Sequence, residues 1–360
     1  MGLSRKALAV VAGPYRFYQV LWLYTQFPDL EWSILLLPYG KGDEIRKDLR
    51  EKCEKLKIFA NIYDSHMIGQ DSGTYRQMMM LMKMFWFYLI GKKKTFMKRI
   101  IRSQTSGQEF DVFFVGCEYS IIEGAIIGLA DEKEVYIFEE GLSDYVRRKK
   151  YPSFNMKEIM SFIVTKIGYF SPYQCFEMEN EKYCIKYASL PRLLQQRSYK
   201  DIRFLFRERN SKFNELIKRL YNFDIDMLRG CDVILFTVAL EDELKKKNKN
   251  YVDMVHQWIV NRYYGKKIFI KKHPRDDEEY SWTDVDCVIC EKNIPAEVVI
   301  GFMENQDVLM MEISTSIINI LNKKNITTIF RLKETDEKYE NEINYVQRLL
   351  NIPADDVIYI

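Results

Sequence analysis

Ile268-Phe269-Ile270-Lys271-Lys272-His273-Pro274 is an apolar run of strand length that stops abruptly at a basic pair, a histidine and a proline. A short, wholly apolar run reads as a strand buried on both faces. A polar loop at the carboxyl end of such a strand is where α/β proteins place ligand contacts. His273 is one of 3 histidines in 360 residues. A histidine in that place can exchange a proton near neutral pH. Taken alone, a histidine that merely ends a strand is the commoner case. Its neighbours along the chain must decide.

Working outward, the second half repeats the same signature. Strand-like runs are Val233–Thr237, Lys267–Lys271, Cys287–Cys290, Val308–Met311, Thr327–Arg331 and Val357–Ile360. Helical runs lie between them at about Asp242–Tyr263, Ala296–Asn305, Thr315–Asn322 and Glu337–Leu350. The first half alternates too, with strands predicted at Ala7–Ala12, Ser33–Leu37, Lys57–Ala60, Asp111–Gly116 and Glu134–Phe138. Its helices are predicted at Tyr15–Thr25, Asp43–Lys55, one long element from Tyr75 to Ser103, and Ser120–Ala130. Alternating strands and helices predict parallel sheets covered on both faces. The fold class is therefore α/β, with two Rossmann-like domains facing a central cleft. The domains are expected at 1–165 and 166–360, with less regular chain from Tyr151 to Leu220 near the join. No Gly-x-Gly-x-x-Gly follows the first strand, so a usual dinucleotide site is not supported. Instead, Gly13-Pro14 closes that strand in a tight, open turn.

Composition narrows the class. Hydrophobic residues at 47% and charged residues at 29% are those of a soluble globular protein. A net charge of +3 gives no reason to expect nucleic acid. The 7 cysteines are scattered and odd in number, as in a reduced, cytoplasmic protein. Cys287 and Cys290 have metal-ligand spacing but no second pair, so core packing is expected of them. The run from Met1 into a strand shows no signal-peptide cleavage region. The apolar stretch Met78–Ile90 is shorter than the ~20 residues of a membrane span. It leads into Lys92, Lys93, Lys94, Lys98, Arg99 and Arg102. An apolar helix with a basic end can lie on an anionic membrane surface. A buried helix with a solvated basic end explains the pattern equally well.

Four motifs could carry chemistry. Glu139-Glu140-Gly141 ends an apolar strand, and paired carboxylates raise one another's pKa toward the range of a general base. Lys271-Lys272-His273-Pro274 offers positive charge and a titratable ring. Pro295-Ala296-Glu297 puts Glu297 in the first turn of a helix, where an exposed carboxylate could accept from a ribose diol. Ser314-Thr315-Ser316 separates a strand from a helix and could hold a phosphate on hydroxyls and free amide N–H groups. Each has an ordinary explanation in turn formation, helix-dipole complementarity or capping. Asp224-Ile225-Asp226 and Asp284-Val285-Asp286 do not follow a strand as a metal-binding Asp-x-Asp does, and no metal is expected.

The order and spacing of the motifs resemble the bacterial sialyltransferases: those of glycosyltransferase family 52, the polysialyltransferases and the marine-type enzymes. These share an acid-acid-glycine motif, a His-Pro motif and a Ser-Ser/Thr motif on a GT-B fold. The short chain and the Gly-Pro turn make family 52 look nearest. The resemblance implies an inverting, metal-independent transferase with no cofactor. It would move sialic acid from CMP-sialic acid to a sugar hydroxyl of a capsule or lipooligosaccharide. By motif, Glu139 or Glu140 is the base, with Glu139 slightly favoured, and His273 protonates or hydrogen-bonds the departing phosphate. Lys272, Pro274 and Glu297 fall on the donor side, with Ser314, Thr315 and Ser316 on its phosphate, and Gly13, Pro14 and Gly141 on the acceptor side. The N-terminal domain would take the acceptor and the C-terminal domain the donor. The absence of an extra domain or long basic groove favours single transfer over polymerisation. Competing readings are a GT-B transferase with another nucleotide sugar, and a non-catalytic glycan-assembly protein; an epimerase fits the motifs less well.

Overall fold

A computed structural model describes residues 4–38, 43–65, 74–116, 120–139, 142–145, 151–153, 155–167, 176–194, 197–206, 211–221, 223–239, 250–280, 282–292, 294–312, 317, 320, 326–332, 344, 347–348 and 350–360. The chain divides into two compact units, Met1–Leu216 and Ile217–Ile360.

The first unit carries β1 (Lys6–Val11), α1 (Pro14–Gln26), β2 (Glu31–Leu36), α2 (Glu44–Leu56), β3 (Asn61–Asp64), α3 (Thr74–Leu89) and α4 (Lys93–Gln104). It continues with β4 (Val112–Val115), α5 (Ile121–Ile127), β5 (Glu134–Ile137), α6 (Met156–Ile167), β6 (Ile185–Ala188), β7 (Asp201–Phe204) and most of α7 (Ser211–Tyr221). Its seven strands are all parallel in the order β3-β2-β1-β4-β5-β6-β7. The second unit carries α8 (Ile225–Arg229), β8 (Val233–Phe236), α9 (Tyr251–Arg262), β9 (Lys267–Lys271), β10 (Asp286–Cys290), α10 (Ala296–Phe302), β11 (Asp307–Met311), β12 (Thr328–Arg331) and β13 (Val357–Tyr359). Its six parallel strands run β10-β9-β8-β11-β12-β13. Both orders are Rossmann-like, growing outward from a first strand and reversing between that strand and the fourth. Two such units in one chain are the make-up of a GT-B fold.

The apolar runs are strands because both faces are covered. Ala7–Val11, Val112–Val115 and Val233–Phe236 are buried throughout. Trp32, Phe114 and Tyr136 stack across β2, β4 and β5, with ring centroids 4.5 and 4.9 Å apart.

Three boundaries differ from expectation. The units divide at Leu216/Ile217 rather than 165/166, because β6 and β7 extend the first sheet. The third strand lies at Asn61–Asp64 and not at Lys57–Ala60, since α2 ends on Lys57 in the left-handed conformation (φ 55°). The long helix from Tyr75 is two helices, broken at Gly91 with φ 67°. Only a residue without a side chain takes that backbone at no steric cost. Much of the helical runs expected at 242–263, 315–322 and 337–350 lies outside the described residues.

Candidate functional site

In a doubly wound sheet, ligands meet the carboxyl ends of the strands.

In the first unit, β5 runs through Phe138 into Glu139. The acid is enclosed rather than open to solvent. Glu139 is 0% exposed. The single-turn helix Leu142–Tyr145 and the end of β6 fold over it. Four donors reach its carboxylate. Tyr15 Oη lies 2.9 Å and Ser189 Oγ 3.3 Å from Oε1. The Ser189 amide lies 2.6 Å from Oε2, which also accepts from Tyr145 Oη. Burial drives the Glu139 pKa up, with nearby Asp144 adding, against the lowering pull of its hydrogen bonds. Tyr145 and Ser189 are themselves buried, whereas Tyr15 is only half-buried. Beneath the acid, Lys186 pairs with Asp144 at 2.9 Å and donates to the Phe138 carbonyl at 3.2 Å. That pair ties the chain on either side of the acid motif to β6.

Tyr15 comes from the Gly13-Pro14 turn. Pro14 opens α1, where its missing N–H costs nothing, and Gly13 precedes it at φ 88°. The structure thus brings the expected acceptor-side turn and Glu139 together through one tyrosine. The same first turn of α1 places Arg16 at the reversal point between β1 and β4. Its guanidinium is buried and bonds Glu123 at 2.9 Å. Glu123 also accepts from the Gly116 amide at 3.0 Å, and Ser120 caps α5. A side chain at Gly116 would meet Arg16 Nε at 2.6 Å. This unit fills its switch point with its own ion pair.

In the second unit, β9 delivers Lys271 and Lys272 into the His273-Pro274 turn. The His273 amide donates to Thr237 Oγ1 at 2.9 Å, at the end of the neighbouring β8. The Arg275 amide donates to His273 Nδ1 at 3.2 Å. Desolvation, then Arg275 and Lys271, lower the His273 pKa to about 4. Lys271 is buried, and its Nζ bonds the Lys272 carbonyl. Burial lowers its pKa, while Glu297 and Asp276 pull it upward. Those couplings put the His-Pro turn and Glu297 in one electrostatic neighbourhood. Glu297 sits where expected in the first turn of α10 but is only 6% exposed, since that helix buries residues 297–300 together. The open carboxylate expected for a ribose diol is thus a buried one. Glu140, Gly141, Ser314, Thr315 and Ser316 lie outside the described residues.

Two acids escaped the sequence reading. Asp276 is 2% exposed and holds the His-Pro turn in place. Glu312 closes β11 at the second unit's reversal point, 1% exposed, with left-handed backbone at φ 58°. Its Oε1 accepts from the Leu332 amide at 2.6 Å, while Oε2 has no hydrogen-bond partner among the described residues. Burial raises its pKa to about 7. An acid ending the apolar run 308–311, just before Ser314, was the available signal. Asp224 caps α8, accepting from the Asp226 amide at 3.0 Å. Cys290 is buried, and Cys287 partly so.

The basic run looks different in three dimensions. Lys94 pairs with Asp131 and Glu132 at 2.6 and 2.9 Å, and Lys98 with Glu132 at 2.7 Å. Arg102 pairs with Glu109. Lys92 and Arg99 carry no ion pair among the described residues. Beside them, α3 exposes Met82, Phe85, Trp86 and Leu89, one helical face apart by three and four residues. No described helix is long and apolar enough to cross a membrane.

A family model described as Alpha-2,8-polysialyltransferase (POLYST) matches residues 7–333. Of the three families named from the motifs, the match thus falls on the polysialyltransferases. No curated protein matches the sequence. Among solved structures, the UDP-N-acetylglucosamine 2-epimerase of Methanocaldococcus jannaschii is 14% identical, with 97% of this chain and 93% of that one covered and a TM-score of 0.48. A UDP-glucosyltransferase from Polygonum tinctorium is 11% identical, with 98% and 86% covered and a TM-score of 0.49. The strand orders themselves, rather than these likenesses, define the fold.

Proposed function

Because the chain belongs to the alpha-2,8-polysialyltransferase family, and is a glycosyltransferase, we propose that it moves sialic acid from CMP-sialic acid to a sugar hydroxyl of a bacterial surface glycan, capsule or lipooligosaccharide. The observation that carries this reading is the family match from 7 to 333, which runs through the acid pair, the His-Pro turn and the Ser-Thr-Ser run. The first unit takes the acceptor, and the second takes the donor. That division is supported by the first unit's filled switch point, where Arg16 and Glu123 occupy the place a nucleotide phosphate would use.

Glu139 is the base of this reaction. Its raised pKa suits a group that must take a proton near neutrality. Its four donors leave no lone pair idle, so the acceptor hydroxyl must replace one of them. Tyr15, half-buried, is the donor that can give way. One O–H then replaces another, and no buried oxygen is left unpaired. As the hydroxyl oxygen attacks the anomeric carbon, its proton passes to Glu139. The bond to the phosphate breaks on the opposite side, and the sugar inverts. His273 gives a hydrogen bond to the departing phosphate, Glu297 accepts from the ribose hydroxyls, the lysines of the His-Pro turn add positive charge toward the nucleotide, and Ser314, Thr315 and Ser316 cradle the phosphate. Hydroxyls, amides and histidine supply this stabilisation without a metal or cofactor.

The enzyme works on the cytoplasmic side, with its first unit resting on the anionic inner face of the membrane. Exposed Phe85, Trp86 and Leu89 beside Lys92 and Arg99, which carry no ion pair among the described residues, support that placement.

Transfer from CMP-sialic acid to a sialylated or galactosyl oligosaccharide, with excess EDTA present, tests the reaction. Product formation with anomeric inversion, seen by NMR, is expected. Turnover of UDP-sugars alone would overturn the donor, and dependence on added divalent metal would overturn the metal-independent mechanism.

A further inference from the structure

Resting on the reading of His273 as the phosphate contact, we infer that Asp276 is a positioning residue that fixes His273 as the neutral tautomer with its proton on Nε2. The histidine then gives the departing phosphate a hydrogen bond and no proton.

Nitrogen Nδ1 accepts from the Arg275 amide at 3.2 Å. An accepting nitrogen carries no hydrogen, so the single ring proton of a neutral imidazole sits on Nε2. Protonating Nδ1 would set two N–H groups against each other and lose the bond. The question is what keeps the Arg275 amide there. The turn is closed by the Asp276 amide, which donates to the His273 carbonyl at 2.9 Å. The Asp276 carboxylate is buried and accepts from Tyr280 Oη at 2.9 Å, from the Glu278 amide at 3.1 Å and from Thr237 Oγ1. Thr237 in turn accepts the His273 amide at 2.9 Å. A hydroxyl has one proton, so a threonine that donates to Asp276 is left with lone pairs for the His273 N–H. The carboxylate therefore sets the direction of the whole network. An amide in its place would set its NH2 either against Thr237 and Tyr280, which share Oδ2, or against the Glu278 N–H on Oδ1, and disturb the network either way.

The charged groups around the ring agree. Arg275 in the turn and Lys271 at the end of β9 both oppose an imidazolium, and among the described residues only Asp276 favours one. The chemistry balances without a proton from histidine. The base takes the acceptor's hydroxyl proton. The anomeric carbon–oxygen bond breaks with its electron pair going to the phosphate, which leaves as a dianion. A phosphate monoester has its second pKa at about 6, so the dianion needs no proton at pH 7.

The test is long-range proton–nitrogen NMR on the full chain labelled at its histidines, with the His273 signals assigned by their loss in His273→Ala. Expected is the Nε2–H tautomer, unchanged between pH 5.5 and 8. A ring that titrates in that window, or that carries its proton on Nδ1, overturns the proposal. Asp276→Asn should mix the tautomers and lower kcat on the order of 100-fold with a smaller change in KM. Thr237→Val should do the same if Asp276→Asn does not fold, and Thr237→Ser should restore the wild-type spectrum. A wild-type His273 spectrum in folded Asp276→Asn or Thr237→Val also overturns it. Because the spectrum is read without nucleotide, a failure to bind CMP would refute the donor reading and leave this one standing on its own data.

Discussion

Tyr15 Oη donates to Glu139 Oε1 across 124 residues of sequence, at 2.9 Å. This bond joins the turn after the first strand to the acid after the fifth. The bond lowers the pKa of a carboxyl that burial has already raised. Removing it must raise that pKa further, so Tyr15→Phe should move the acid limb of the kcat/KM profile to higher pH. Activity above that limb should persist within about tenfold. Glu139→Gln should lose on the order of 1,000-fold, because an amide cannot take the proton. An unmoved limb in Tyr15→Phe would show that Glu139 is not the titrating base.

Glu312 makes a prediction about stability and pH. Its folded pKa of about 7 lies above the ordinary carboxylate value, so across the window from roughly 4.5 to 7 the folded chain holds a proton that the unfolded chain has released. Stability must fall as pH rises through that window. Glu312→Gln cannot ionise and escapes the fall. Urea unfolding should show the variant gaining on the wild type by up to ~3 kcal/mol between pH 5 and pH 8. A constant difference at both pH values would contradict the buried, proton-holding acid.

The exposed face of α3 predicts membrane behaviour. Trp86→Ser with Leu89→Ser should reduce sedimentation with anionic liposomes, and so should Lys92→Glu with Arg99→Glu. Lys94→Glu should weaken the first unit by breaking its pairs with Asp131 and Glu132, each exposed pair being worth about 0.2–1 kcal/mol. Unchanged sedimentation in both double variants would remove the membrane from the account.

The strands were legible because parallel strands buried on both faces leave plain apolar runs, as at 7–11, 112–115 and 268–270. The edge of the first sheet was not. Its last strand, Asp-Ile-Arg-Phe at 201–204, is largely exposed and carries no apolar run, so the unit boundary fell 51 residues too early, at 165 instead of 216. The acid and His-Pro motifs stood out by their place after strands. Their surroundings could not, because Tyr15, Tyr145 and Ser189 meet Glu139 only through the fold, and Thr237 meets His273 from a strand 36 residues earlier. The partners of the basic run were hidden for the same reason: Asp131 and Glu132 answer it from 37 and 38 residues beyond Lys94.

The second unit is proposed to hold a cytidine nucleotide by its phosphate at His273. Calorimetric titration of the full chain with CMP and, separately, with UDP tests it most directly. CMP should bind, UDP should bind more weakly, and His273→Ala should abolish the CMP heat while the variant stays folded. A preference for UDP, or undiminished CMP binding by folded His273→Ala, would contradict it.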